Sequence, residues 1–268
     1  MTHNPYIEPT ATGKPLSEHR LARELTKQIR VDLLEHGAAI AESQWTDELW
    51  LRMRRLFLLK FLGTSAVIGL FFVGYFHVLR HPAAPVTLIP STALDALVPF
   101  QPLMIFPYFS LWLYVGVAPG LHLTVRELLA YALWAAGLCL TGLGVFYYWP
   151  TAVPPLDFDV GDLTGFRLLR GLDASANACP SMHVAVAVFT AIWIEHLLKM
   201  VRVPTSLRVV NFVWVLAISW STVAIRQHVV LDAVAGASLG ASFAMLSLHW
   251  RPDASPVGVA KGDRIVRG

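Results

Sequence analysis

The chain alternates between apolar runs long enough to cross a lipid bilayer and shorter segments that hold most of its charge. Six such runs can be read: Phe61 to Leu79, about Leu103 to Leu121, about Glu127 to Trp149, His183 to Leu198, the stretch 209–225, and Val229 to Trp250. In hydrocarbon a backbone N–H or C=O has no water to bond, so runs of this length fold as helices that satisfy their own polar groups. The expected fold class is therefore all-α, a polytopic membrane protein built as a six-transmembrane-helix bundle. Composition agrees. Of 268 residues 55% are hydrophobic and 15% charged, well under the roughly 25% charge of a soluble domain.

The runs divide the chain into an N-terminal cytoplasmic, amphipathic segment, 1–56, a membrane domain, 57–250, and a cytoplasmic tail, 251–268. Within the first segment Leu21, Leu25, Ile29 and Leu33 recur every fourth residue, which predicts a short cytoplasmic helix from Ser17. Thr46 before Asp47 and Glu48 reads as a second helix start, expected to run directly into the first span, with Arg52, Arg54, Arg55 and Lys60 as its inner anchor. The first apolar run begins near Phe57, so no N-terminal signal peptide is expected. Pro107 is expected to kink the second span.

Charge sets the orientation. Of 21 Lys and Arg, all but Arg80, Arg167, Arg170 and Arg226 fall in segments that six spans place on one side, so that side is cytoplasmic and holds both termini. The net charge of +3 is modest, and the basic segments read as topology signals, with no nucleic-acid partner. Two long outer connectors remain. Residues 80–101 include an interfacial helix at Leu94-Asp95-Ala96-Leu97-Val98-Pro99-Phe100, and 150–180 is long enough to roof a site. Cys139, mid-membrane, and Cys179, at an outer end, stand too far apart for a disulfide.

Two motifs carry the chemistry. The first is Cys179-Pro180-Ser181-Met182-His183, and the second runs from Ser221 through Arg226-Gln227-His228 to Asp232. Two crossings separate them, so His183 and His228 return to the same membrane face. With His228 in the first turn of the last helix, Asp232 would lie one turn on, where a carboxylate orients an imidazole. Asp232 also sits inside an apolar run, a costly place for an ionisable group and by default a functional one.

Pro180-Ser181-x-His183 and Ser221-x6-His228-x3-Asp232 resemble the second and third motifs of the type 2 phosphatidic acid phosphatase superfamily over roughly the last two thirds of the chain. Thr222 replaces the Arg usual after the third-motif Ser, Met182 replaces the usual Gly, and the first motif, Lys-x6-Arg-Pro, is absent. These departures resemble the branch with inositolphosphorylceramide synthases and related bacterial proteins. The resemblance implies a metal-independent lipid phosphatase or phosphotransferase of a bacterial inner membrane, with its site on the outer side, no cofactor, and a lipid phosphate or phospholipid as substrate. It assigns His228 as a nucleophile forming a phosphohistidine, Asp232 as the carboxylate holding its ring, His183 as the acid and later base, and Ser181 as a phosphate ligand. The missing cations leave Arg226, Arg167 and Arg170 as candidates to bind phosphate. A zinc site on the two His and the Asp is the reading this match displaces. An inositolphosphorylceramide synthase-like head-group transferase, or a non-enzymatic lipid transporter or binder, stands as the alternative.

Overall fold

A computed structural model describes residues 26–28, 30–31, 44–155 and 177–250. Residues 26–28 and 30–31 are helical, and the rest of the helix expected from Ser17 lies outside the described residues. So do Arg167, Arg170, residues 156–176 of the second connector, and the tail. The chain divides between Asp47 and Glu48 into two compact units, and the second contains everything below.

Seven helices of this unit matter to the site: α1 (Phe57–Arg80), the short α2 (Ala93–Leu97), α3 (Ile105–Gly120), α4 (Val125–Tyr148), α5 (Met182–Met200), α6 (Thr205–Ala224) and α7 (Val230–His249). Among the described residues six helices are long and apolar enough to cross a membrane, α3 counting with the 3-10 turn Pro102–Met104 before it. The protein is an all-α, polytopic membrane protein.

Local chemistry sets where these helices begin. Thr124 Oγ1 accepts the Glu127 N–H at 3.2 Å while Glu127 Oε2 accepts the N–H groups of Leu123 and Thr124, a capping box that starts α4. Ser181 caps α5, its Oγ accepting the Val184 N–H at 3.3 Å. In α7 the acceptor is Asp232, whose Oδ2 takes the Val229 N–H at 3.1 Å. Two of the three caps thus use motif residues, tying helix initiation to the site.

Three expectations need correction. The helical stretch reaching residue 54 does not run into α1, because Leu56 adopts a left-handed φ of 58° that breaks it. Lys60 is no headgroup anchor: it is 4% exposed and donates to Arg52 O at 2.5 Å and Gly120 O at 2.7 Å, satisfying a carbonyl at the end of α3. Pro107 forces no kink, since it lies in the first turn of α3, where a missing N–H breaks no intrahelical bond. The apolar periodicity also gave no sign of strands. Thr87–Leu88 (β1) and Thr151–Ala152 (β2) pair in parallel, Thr87 opposite Thr151 and Leu88 opposite Ala152, and Asn177 bridges to Thr151. Pairing gives two extended connectors partners for their backbone groups.

Helix α5 is the hub, packing against α3, α4, α6 and α7. It meets α7 at Gly236 and Gly240, where an added Cβ would collide with the backbone carbonyls of Ser181 and Ala185; only a glycine permits this approach. Polar ties cross the apolar interior: Tyr114 Oη donates to Asn211 Oδ1 at 2.6 Å, Asn211 Nδ2 to Ala191 O at 3.0 Å, and Trp193 Nε1 to Ser247 Oγ at 2.9 Å. Helix α1 stands apart, touching α3 and α4.

Candidate active site

The start of α5 and the start of α7 are joined directly. Ser181 N–H donates to the backbone carbonyl of Asp232 at 3.0 Å, so the two motifs share a hydrogen bond before any side chain is considered. The close approach at Gly236 makes that bond possible. Asp232 is fully buried at position N3 of α7, and its Oδ2 also faces His228 Nδ1 at 3.4 Å. His228 does not lie in the first turn of α7 as expected. It precedes Val229, the N-cap, in the connector from α6. With Nδ1 turned to the carboxylate, Nε2 is the ring nitrogen left to face a ligand.

His183 stands one residue into α5. Its ring stacks on Tyr108 with centroids 4.0 Å apart and planes 10° from parallel, and meets Trp112 edge-on at 5.6 Å. These aromatics, one turn apart on α3, fix the imidazole plane. Its Nε2 is buried without a hydrogen-bond partner, and so are Asp232 Oδ1 and Asn177 Oδ1. Buried polar atoms are normally paired, so the unmet atoms of His183 and Asn177, which line a cleft where Asp232 does not, mark a place for a ligand to bind.

That place opens into a cleft of about 1200 Å³. His183, His228, Gln227, Arg226, Asn177 and Thr151 line one end, and Lys60 with Pro119 and Val125 line the other. Between them the walls are apolar, with Phe71, Phe72 and Tyr75 of α1 facing Trp112 of α3 and Val186 of α5. Over the sixteen-residue separation of Lys60 and Phe76 a helix rises about 24 Å, most of the hydrocarbon thickness of a bilayer.

Ser181 is completely buried; its oxygen serves as cap acceptor while its hydroxyl hydrogen remains free to donate. Arg226 lines the cleft, but two of its N–H groups are already committed. Nη1 donates to Asp95 O at 3.0 Å and Nη2 to Val98 O at 2.7 Å. A guanidinium has five N–H donors, so others remain for a ligand. Cys179, the first residue of its motif and half-buried, has its thiol pushed up to about 11 by burial and, secondarily, by the Asp232 carboxylate. Among the described residues no group of three or more His, Cys, Asp or Glu is arranged to hold a metal ion.

Sequence reasoning did not find Tyr108, Trp112, Asn177 or Asp95. The first two carry a faint signal, aromatic residues four apart at the start of a span. For Asp95 the signal was Thr92-x-x-Asp95, the spacing of a capping box, and Asp95 Oδ2 does accept Thr92 N–H and Thr92 Oγ1, each at 2.7 Å.

No curated protein and no solved structure matches the chain. Residues 128–256, from the first turns of α4 to beyond the end of α7 and including Ser181, His183, His228 and Asp232, match the family model of the PAP2 superfamily.

Proposed function

We propose that the protein is a membrane enzyme that transfers the phosphoryl group of a lipid phosphate ester through a phosphohistidine on His228, at the outer face of a bacterial inner membrane. The observation that carries this reading is the convergence of His183 and the His228–Asp232 pair at the polar end of an apolar cleft. Phosphoryl transfer needs an in-line nucleophile, a proton donor for the leaving oxygen and fixed positive charge, and the family match favours that chemistry over lipid transport without turnover.

In the first step Nε2 of His228 attacks phosphorus and the bond from phosphorus to the lipid oxygen breaks. His183, as imidazolium, gives its proton to that oxygen. Asp232 holds Nδ1–H and stabilises the charge left on the ring. In the second step neutral His183 takes a proton from water or from the hydroxyl of an acceptor lipid, whose oxygen attacks the phosphohistidine. The P–N bond breaks, releasing phosphate or a new ester and restoring His228. Resemblance to the inositolphosphorylceramide synthase branch favours the alcohol as acceptor. Ser181 Oγ–H, the remaining N–H groups of Arg226, and Arg167 and Arg170 bind the phosphoryl oxygens. The apolar walls take the chain of the lipid.

The test is to trap the intermediate. The protein purified in detergent is incubated with phosphatidic acid carrying ³²P in its phosphate and then denatured in alkali, where phosphohistidine survives. Acid-labile label on the peptide holding His228, absent from His228→Ala, is the expected result. Label on another residue, or neither label nor released phosphate with phosphatidic acid or other lipid phosphates, would overturn the reading. Addition of an acceptor lipid during turnover separates transfer from hydrolysis, by the new ester that forms.

A further inference from the structure

We infer that Asp95, far from both motifs in sequence, is a positioning residue that holds the His228 connector through the first backbone N–H of α7. The connector from Ile225 to Val229 joins two membrane helices and carries the imidazole proposed as nucleophile. Its geometry is not set by the Asp232 contact alone, which at 3.4 Å is long for a hydrogen bond.

The connector's own turn adds the N–H groups of Gln227 and His228 donating to Thr222 O at 3.0 and 3.1 Å, and the short outer helix α2 holds it from outside. Asp95 Oδ1 accepts the N–H of Val230 at 2.7 Å. The carbonyls of Asp95 and Val98 accept Arg226 Nη1 and Nη2, and Gln101 N–H donates to Ala224 O at 3.0 Å. Residues 224, 226 and 230 are thus tied to one segment, and His228 lies between the ties. Asp95 is itself immobilised: it is 1% exposed, with Oδ2 taken up by Thr92. Burial alone would raise its pKa, but the bonds from Thr92 and Val230 and the nearby Arg226 charge hold it below the usual carboxylate range, so it stays an acceptor. Arg226 adopts φ 61°, a left-handed conformation that a non-glycine residue keeps only when its surroundings impose it. Here it is the residue that closes α6, with Arg226 N–H donating to Val223 O and Gln227 N–H to Thr222 O, both at 3.0 Å, and the carbonyls of Asp95 and Val98 hold its guanidinium from the other side.

If Asp95 served only to cap its own helix through Thr92, nothing at residue 230 would matter to it. Val230→Pro deletes the N–H that Asp95 Oδ1 accepts and keeps an apolar side chain against Val98, Val223 and Ala224, on which Val230 packs. Val230 is the first residue of α7, where proline is favoured, and Val229 before it, at φ −95° and ψ 165°, already has the extended backbone a following proline requires.

The experiment compares the full chain in detergent with Asp95→Ala, Val230→Pro, the double variant and Asp95→Asn. One readout is amide hydrogen exchange at Gln227, His228 and Val229. The other is kcat and KM for phosphate release from dioleoyl phosphatidic acid in mixed micelles, and it alone rests on the function proposed above. Asp95→Ala and Val230→Pro should each speed exchange and lower kcat by about 10- to 100-fold, as a misplaced reactive group does, with KM changed by less than about 3-fold. The double variant should be no worse than the poorer single one, because both remove the same bond. Asp95→Asn, which keeps an oxygen toward Val230 but turns its NH2 onto Thr92 N–H, should recover part of the rate that Asp95→Ala loses. Unchanged exchange in Val230→Pro, or losses that multiply in the double variant, would reduce Asp95 to a local cap and overturn the inference. Should Asp95→Ala fail to fold, Val230→Pro decides alone. Should the wild type release no phosphate, the trapping experiment above decides the function while the exchange readout still decides the inference.

Discussion

Helices α1 and α5 are both apolar, both span-length, and placed in opposite ways. Over its most apolar window 56% of α5 is buried, against 6% of α1. Apolarity brings a helix into a membrane but does not draw it to the centre of a bundle, since lipid is as apolar as leucine. What places α5 at the centre is surface shape and polar pairing. Ala185, Ala187 and Ala191 are buried along its length, Gly236 and Gly240 of α7 press against its backbone, and Trp193 and the Ala191 carbonyl carry the polar ties. Helix α1 instead turns Phe71, Phe72 and Tyr75 to the cleft and leaves Leu70 and Val73 more than two-thirds exposed. One helix holds chemistry in register, and the other forms a wall.

Substitutions can break this contrast. The largest expected effect is on turnover: His183→Ala and Asp232→Asn should each lower kcat by roughly 10²- to 10⁴-fold, and combining them should cost little more, since they act as one unit. Kinetics beside a melting curve check this, and a loss tracking a lowered melting temperature would assign the effect to folding. Next comes Gly236→Val at the α5–α7 contact. Its side chain must displace backbone at Ser181, where no flexible group can yield, so a stability loss of about 1–3 kcal/mol or more is expected. Inactive but fully stable protein would show that the close packing serves only the site. The last pair, which contains the smallest effect, sharpens the comparison within apolar residues. Phe189→Ala on α5, 1% exposed, should cost about 3–5 kcal/mol, whereas Leu70→Ala on α1, 72% exposed, should stay within about 0.5 kcal/mol. Equal losses in denaturant titration would mean that α1 is buried by something other than lipid.

The sequence showed the six spans because each is written locally, as an apolar run between charges. It also pointed to His183, His228 and Asp232, whose motif spacing and place at the ends of spans need no partner to be read. What was not legible is made of contacts between connectors. Arg226 meets the carbonyls of Asp95 and Val98 across more than a hundred residues, and Thr87 pairs with Thr151; neither leaves a period or a composition in the chain. A carbonyl acceptor in particular has no sequence signature, because every residue carries one. The corrected role of Lys60 has the same origin: a lysine four residues into a helix reads as an anchor until the end of α3 is seen beside it.

The bond between Ser181 N–H and the Asp232 carbonyl also bears on how the protein is made. A chain leaves the ribosome from its N-terminus, and its parts dock as they emerge. His183 and its aromatic companions Tyr108 and Trp112 can be in the membrane while residue 230 is still unsynthesised, but the start of α5 then lacks the backbone acceptor and the two glycines it packs on. The polar end of the cleft is therefore completed by α7, the last of the described span-length helices in chain order. A nascent chain arrested before that point would hold His183 between its aromatic companions without the His228–Asp232 pair opposite.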